Sequence, residues 1–508
     1  MGRFVFGSLS ETGLRRWLIF CLQIFVFLLG SGRASRYDVA HEFSPPDQWA
    51  LAEGGVYASR DPGRPGKAGR SEILIDLTFE RTTADQEASM EIILVRPEQE
   101  KMLGFTDLDT SETFFCCTKD LLDKRAPGCS EVGKIIYNRP RTLKSSPLKD
   151  GMFTEPLNPE VLTFKKREKV TIFNESMLIH RTGIYQVLFS TCDENLGNVS
   201  ATGNVAFRNP YGYLPGQLYG SIPFYRVLSV AYAVVTLLWL LVFFRYRRVS
   251  LPIHRYMSIA LILGLAESIV NAWNYTELNV TGRPVCCPVF PGIVAAAILS
   301  VLKTVPSKVL VLLICMGWTI VYASLDRIKR TWVVIYAFTI FVLSFLHQLA
   351  VLTSHHETVS LKVFVSLPMY VLDLVYTVWV FLELRKTRNY LKDRGATEKN
   401  ILYRRFKNAL LGFVVGILVW GVFAVVNSLR STTADRWRFV NWKLYWMVGG
   451  VPPGGVMWDL MYFLLLLVII SIFFPGEKTS NYVYRPEDDL NVNAALVSGT
   501  GRDSDDDP

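Results

Sequence analysis

NVAFRNPYGYLPGQLYGSIPFYRVLSVAYAVVTLLWLLVFFRYRR, residues Asn204–Arg248, joins a polar front half of the chain to a hydrophobic back half. From Ile222 to Phe244 it is predominantly apolar with a single charge, Arg226, and about twenty such residues at roughly 1.5 Å of rise each cross a bilayer. Arg245, Tyr246, Arg247 and Arg248 then stop the run as a cytosolic flank does. Upstream, Asn209, Pro210, Gly212, Pro215 and Gly216 make a turn-rich collar that no helix or strand runs through. The collar is a joint between two domains.

Half of the 508 residues are hydrophobic (50%), and their distribution decides the class. Apolar blocks lie near 222–244, 254–274, 291–322, 331–351, 361–384, 406–428 and 450–474, separated by short basic connectors. Seven spans are expected over residues 216–475. The third is overlong and holds Lys303, Pro306 and Lys308, so one tilted, proline-bent helix is the economical reading. The net charge of +9 sits mainly in the connectors, which points to membrane orientation rather than nucleic acid. Arg245, Arg247, Arg248, Arg255, Arg327, Lys329, Arg330 and the cluster from Arg385 to Arg405 all fall on one side, taken as cytosol. The N-x-S/T sequons at Asn174, Asn198, Asn274 and Asn279 fall on the other, taken as lumen.

Residues 1–34, with Arg15 and Arg16 before an apolar run and a small-residue stretch, read as a signal peptide. Residues 35–215 read as a lumenal domain. A loop is expected over 36–70, then strands at 71–80 and 88–98 and at GKIIYN, KVTIFN, GIYQVLFSTCD and ATGNVAFRN. These make an antiparallel β-sandwich. Cys116, Cys117, Cys129, Cys192, Cys286 and Cys287 form an even lumenal set and read as disulfide candidates of open connectivity. No CxxC pair or nearby histidine favours a metal, and no cofactor is expected. Residues 476–508 read as a disordered acidic cytosolic tail, in which Ser504 before Asp505–Asp507 is either a phosphorylatable sorting signal or plain solvation.

Ionisable residues at membrane depth are costly, roughly 2.5–3.5 kcal/mol each on insertion scales, so they face the bundle interior and pair. Glu267 and Lys303 match in depth and are the first pair expected; Asp373 can approach Lys308; Asp459 and His347 complete the set. Such a cluster binds an ion or polar ligand, lines a constriction, or simply holds helices in register. Other seven-helix chemistries recede for want of their residues. The last block has no Schiff-base lysine, His347 alone lies at membrane depth, and LDRIKR and IISIFFPGEK are poor matches to rhodopsin-type triplets. An enzyme is not expected.

The collar NPYGYLPGQLYGSIPFY, IALILGLAES in the second block, VLKTVPSKVLVLLICMGWTIV with its Gly317–Trp318 pair, LYRRFKNAL and DRWRFVNWKLYW resemble the GOLD-domain seven-transmembrane (lung seven-transmembrane receptor) family. Within it the transmembrane protein 87 branch is most similar. The resemblance covers roughly residues 182–484; before Gly183 little matches beyond cysteines and strands. It implies a GOLD-like lumenal sandwich on a bundle in Golgi, endosomal or plasma membrane, acting in endosome-to-Golgi retrograde transport. A lumenal protein cargo and cytosolic trafficking machinery are the implied partners. The alternatives are a cation channel or mechanosensor, for which Glu267, Lys303, Lys308 and Asp459 are nominated on depth, and a receptor for a lipid or hydrophobic ligand in a lumen-facing pocket.

Overall fold

The computed structural model describes residues 36–43, 47–61, 65–66, 69–82, 86–96, 99, 103–106, 113–137, 160–248, 250–282, 291–353, 359–433, 442–448 and 456–475. The expected signal peptide and tail, and Cys286 with Cys287, lie outside them. Two four-stranded antiparallel sheets form the N-terminal domain. The first runs β1 (Arg36–Phe43), β10 (Val199–Arg208), β3 (Glu72–Arg81), β8 (Val170–Leu178). The second runs β2 (Asp47–Val56), β9 (Gly183–Thr191), β4 (Ala88–Val95), β7 (Glu160–Phe164). Alternation in EILIDLTFER turns Ile73, Ile75, Leu77 and Phe79 inward, all at 0% exposure, against Phe43, Val187 and Phe189.

Residues 36–70, expected as loop, instead supply β1 and β2. Their glycines and charges hide the strands, yet β10 and β9 satisfy their backbones. Gly54 and Gly55 are there because the chain is crowded: a Cβ would stand 2.9 Å from the Phe207 ring and 2.8 Å from Trp442. GKIIYN is a second correction. It makes only isolated bridges, Cys116 to Ile135 and Leu103 to Tyr137, in a segment where Leu103 and Ile135 cover Ile93, Val95 and Leu188 of the second sheet. That segment also carries the short strands β5 (Phe105–Thr106) and β6 (Thr113–Phe114). Cys116–Cys192 ties it to the end of β9, and Cys117–Cys129 closes it on itself.

The helical region comprises α1 (Ser221–Arg245), α2 (Pro252–Thr281), α3 (Pro291–Cys315), α4 (Arg327–Thr353), α5 (Val359–Asp393), α6 (Thr397–Thr433) and α7 (Met457–Ile472). Six are long and apolar enough to cross a membrane, and α7, at 16 residues, is a shorter apolar helix. Successive helices from α1 to α7 pack on one another, and α2 meets α7 while α3 meets α5. Half of α3's apolar window is buried against 11% for α6, so α3 is the central helix and α6 a peripheral one. The third span ends at Cys315, not near 322. Gly317 and Thr319 take left-handed φ of +77° and +69°, and the apolar residues that extended the block fold back, with Ile320 and Val321 buried.

Candidate functional site in the bundle

Lys303 and Lys308 are five positions apart, about 140° around a helix, so α3 aims them at different neighbours. Lys303, 5% exposed, lies between α2 and α7. Its ammonium contacts the Glu267 carboxylate directly and donates to Asp459 Oδ1 at 2.9 Å. Three helices are joined at one nitrogen. Asp459 stands in the first turn of α7, and Tyr462 one turn on places its ring 4.7 Å from Lys303 Nζ. The Tyr225 hydroxyl of α1 donates to Asp459 Oδ2 at 2.8 Å, so a fourth helix joins. Beneath, Ser307 donates to Lys303 O at 2.6 Å and bonds the Tyr462 hydroxyl. Close helix approach makes this possible: at Gly264, one turn before Glu267, a Cβ would come within 2.6 Å of the Tyr232 ring.

Lys308 contacts Asp373 of α5, and Tyr376 donates to Lys308 O at 2.9 Å. This pair is less enclosed by protein, at 20% and 37% side-chain exposure against 7% and 7% for Lys303 and Glu267. It borders a cavity of about 190 Å³ between α3, α5, α6 and α7, walled mostly by apolar side chains such as Leu410, Phe413 and Leu466. His347 lies on α4. Glu383, which the sequence reading did not single out, is 5% exposed on α5 and takes Lys329 at 3.3 Å and Lys386 at 2.8 Å near the far end of the bundle.

The collar fastens the β domain to the end of the bundle nearest Asp459. Asn209, 2% exposed, accepts from Tyr57 N at 2.8 Å and donates to Gly55 O and Leu214 O. Trp442, from the segment before α7, packs on Tyr57 with ring centroids 5.1 Å apart, and a Cβ on Gly216 would stand 2.4 Å from it. Burial, with Asp61 and Tyr219 adding to it, pushes the Tyr57 phenol up to about 12. Trp446 then leans on Phe224, Phe224 on Tyr225, and Tyr225 holds Asp459, a continuous chain of contacts from joint to cluster.

Two sequons change meaning here. Asn274 is 4% exposed and donates to Gly292 O at 2.8 Å, and Asn279 donates to Tyr211 O at 2.8 Å while accepting from Leu214 N. Both amides are tied up in packing, α2 having run past residue 274 to Thr281. Asn174 and Asn198 are exposed. Four of the six candidate cysteines form two disulfides, Cys116–Cys192 and Cys117–Cys129, while Cys286 and Cys287 lie outside the described residues; Cys315, in α3, is a buried free thiol.

Over residues 221–480 the chain matches the family described as GOST, seven transmembrane domain. It is 24% identical over 310 residues to "Transmembrane protein 87A" of Xenopus tropicalis, covering 60% of this chain and 54% of that one. To "Membrane protein PTM1" of Saccharomyces cerevisiae (strain YJM789) it is 26% identical over 325 residues, 63% of this chain and 59% of the relative. "Transmembrane protein 87B" of Homo sapiens is 25% identical over 284 residues, 54% and 47%. The chain spans about half the length of these curated relatives.

Proposed function

Because the chain belongs to the GOST seven-transmembrane-domain family, we propose that it is a multi-pass protein of Golgi or endosomal membranes that serves endosome-to-Golgi retrograde transport. Its β domain binds a lumenal partner or cargo, and its cytosolic connectors and tail meet trafficking machinery; it catalyses no reaction. The two disulfides of the β domain support a lumenal, oxidising placement. The observation that carries the reading is the joint. Trp442, Asn209 and Asn279 seat the β domain on the bundle through side chains from both, so what binds the sandwich pulls on the helices. In cells lacking the protein, a retrograde reporter should stall and the intact chain should restore it. Trp442→Ala should reach the same membranes yet restore it poorly; normal transport without the protein would contradict the proposal.

The cavity favours a second reading, a hydrophobic ligand with an anionic end at Lys308. At about 190 Å³ it falls below the roughly 300 Å³ of a drug-sized pocket, which suits part of one acyl chain. Native mass spectrometry of the purified protein should then show a retained lipid that Lys308→Met releases. Cation conduction has less support, since Glu267, Lys303 and Asp459 engage one another.

A further inference from the structure

The turn between β7 and β8 lies at the end of the sandwich away from the collar. β8 runs from Val170 opposite Glu80 to Leu178 opposite Glu72, and Glu72 in turn pairs with Arg208, where β10 leaves for the collar. Lys165, Lys166, Arg167 and Lys169 are all exposed on this turn, and none forms an ion pair among the described residues. The Glu168 carboxylate accepts from Lys165 N at 3.0 Å, and its single charge leaves the turn with an excess of positive charge. Below sits Arg81, 1% exposed, whose guanidinium donates to the carbonyls of Glu168 at 2.7 Å, Lys165 at 2.6 Å and Gln86 at 2.9 Å. The turn is therefore held rigid from beneath by a further positive charge. Arg167 also adopts φ +69°, a conformation glycine or asparagine takes at lower cost, so a cation is kept where the backbone disfavours it.

Beside the turn, β8 is the last strand of its sheet, with no neighbour on its outer side among the described residues. Residues 170–178 contain no lysine, arginine or proline, and their one charge, the exposed Glu175, lies beyond Asn174 and away from the turn. Val170 is 48% and Ile172 68% exposed. Asn174, an exposed sequon asparagine, bounds the strip, and the exposed Asp76 and Glu80 lie one strand inward on β3, so the positive field is confined to the turn.

We propose that this turn and the first residues of β8 form a docking strip for an extended, acidic peptide segment of the lumenal partner, an assignment that rests on the partner-binding reading of the β domain. The segment adds along the free edge of β8, its backbone taking the unpaired strand groups, its aliphatic residues meeting Val170 and Ile172, and its carboxylates meeting Lys165, Lys166, Arg167 and Lys169.

The test uses the full chain in lipid nanodiscs and a fluorescein-labelled short peptide of alternating aspartate and valine. Binding should weaken with rising salt. It should fall about tenfold or more in the variant carrying Lys165→Glu, Lys166→Glu, Arg167→Glu and Lys169→Glu, and as much when proline interrupts the peptide. Arg167→Gly should raise thermal stability while weakening binding about twofold. Equal binding of the proline-bearing peptide, indifference to the charge reversals, or binding of a heparin oligosaccharide with none of the peptide overturns the strip. A protein that restores reporter transport in deletion cells yet binds no peptide overturns the strip and leaves the trafficking reading intact. One that binds peptide but restores nothing supports the strip and removes that reading.

Discussion

The β domain and the bundle each bury a cation, and they settle it by opposite means. Arg81 at 1% exposure has three backbone carbonyls around it, whereas Lys303 at 5% has carboxylates from two other helices. In a sandwich, strand ends and turns leave carbonyls free, so a guanidinium fork finds acceptors locally. Inside a helical bundle the carbonyls are already spent on their own helices, and a charge must find its partner on another helix. Hence the buried cation of the sheet fixes a turn, and that of the bundle fixes helix against helix.

The contrast can be broken most forcefully at Lys303. Lys303→Met leaves the buried Glu267 and the half-buried Asp459 without their cation, and thermal unfolding of the protein in lipid nanodiscs should show about 3–5 kcal/mol lost. Arg81→Met should cost less, about 2–3 kcal/mol, because each orphaned carbonyl is neutral and the turn can open to water. Hydrogen exchange should locate that loss at residues 165–169 and leave the helices protected. Asp373→Asn sharpens the role of burial: the Lys308 pair is less enclosed by protein, so the loss should be smaller than at Lys303 by the same unfolding measurement.

The smallest effect is a pH dependence in the β domain. Glu91 is 4% exposed, and burial raises its carboxyl above the ordinary 4.5, although the Ile135 N–H at 2.8 Å opposes the shift. A raised folded pKa means the native state holds the proton more tightly than the unfolded chain. Its contribution is full below 4.5 and is lost as pH rises through the raised value. Acidification through that window should therefore stabilise the domain, and Glu91→Gln should flatten the slope in pH-dependent hydrogen exchange at β4.

The sequence carried the apolar blocks and alternating strands because both are periodic signals read over many residues. It gave the depth of Glu267, Lys303, Lys308, Asp373 and Asp459, since rise per residue converts position into height. It did not give rotation between helices, so Asp459 was visible as a buried charge while its placement against Lys303 and Tyr225 was not. Boundaries failed where apolar content and conformation part company: residues beyond Cys315 are greasy yet form a folded-back turn at Gly317. The packing role of Asn279 was hidden for a related reason, as a three-residue motif says nothing of the collar carbonyl its amide meets. Nothing in the sequence marks Arg81 as buried; only the fold shows carbonyls from residues 165 and 168 arriving around it.

The bundle's cluster is, on this account, a lock between α2, α3 and α7, and a lock of compensated charges is replaceable by neutral groups of like shape. The direct measurement is the unfolding midpoint of the triple variant Glu267→Gln, Lys303→Met, Asp459→Asn beside Lys303→Met alone, both in lipid nanodiscs. The triple variant should recover most of the stability that the single change removes. A triple variant as unstable as the single one, or a single change without effect, would contradict the lock.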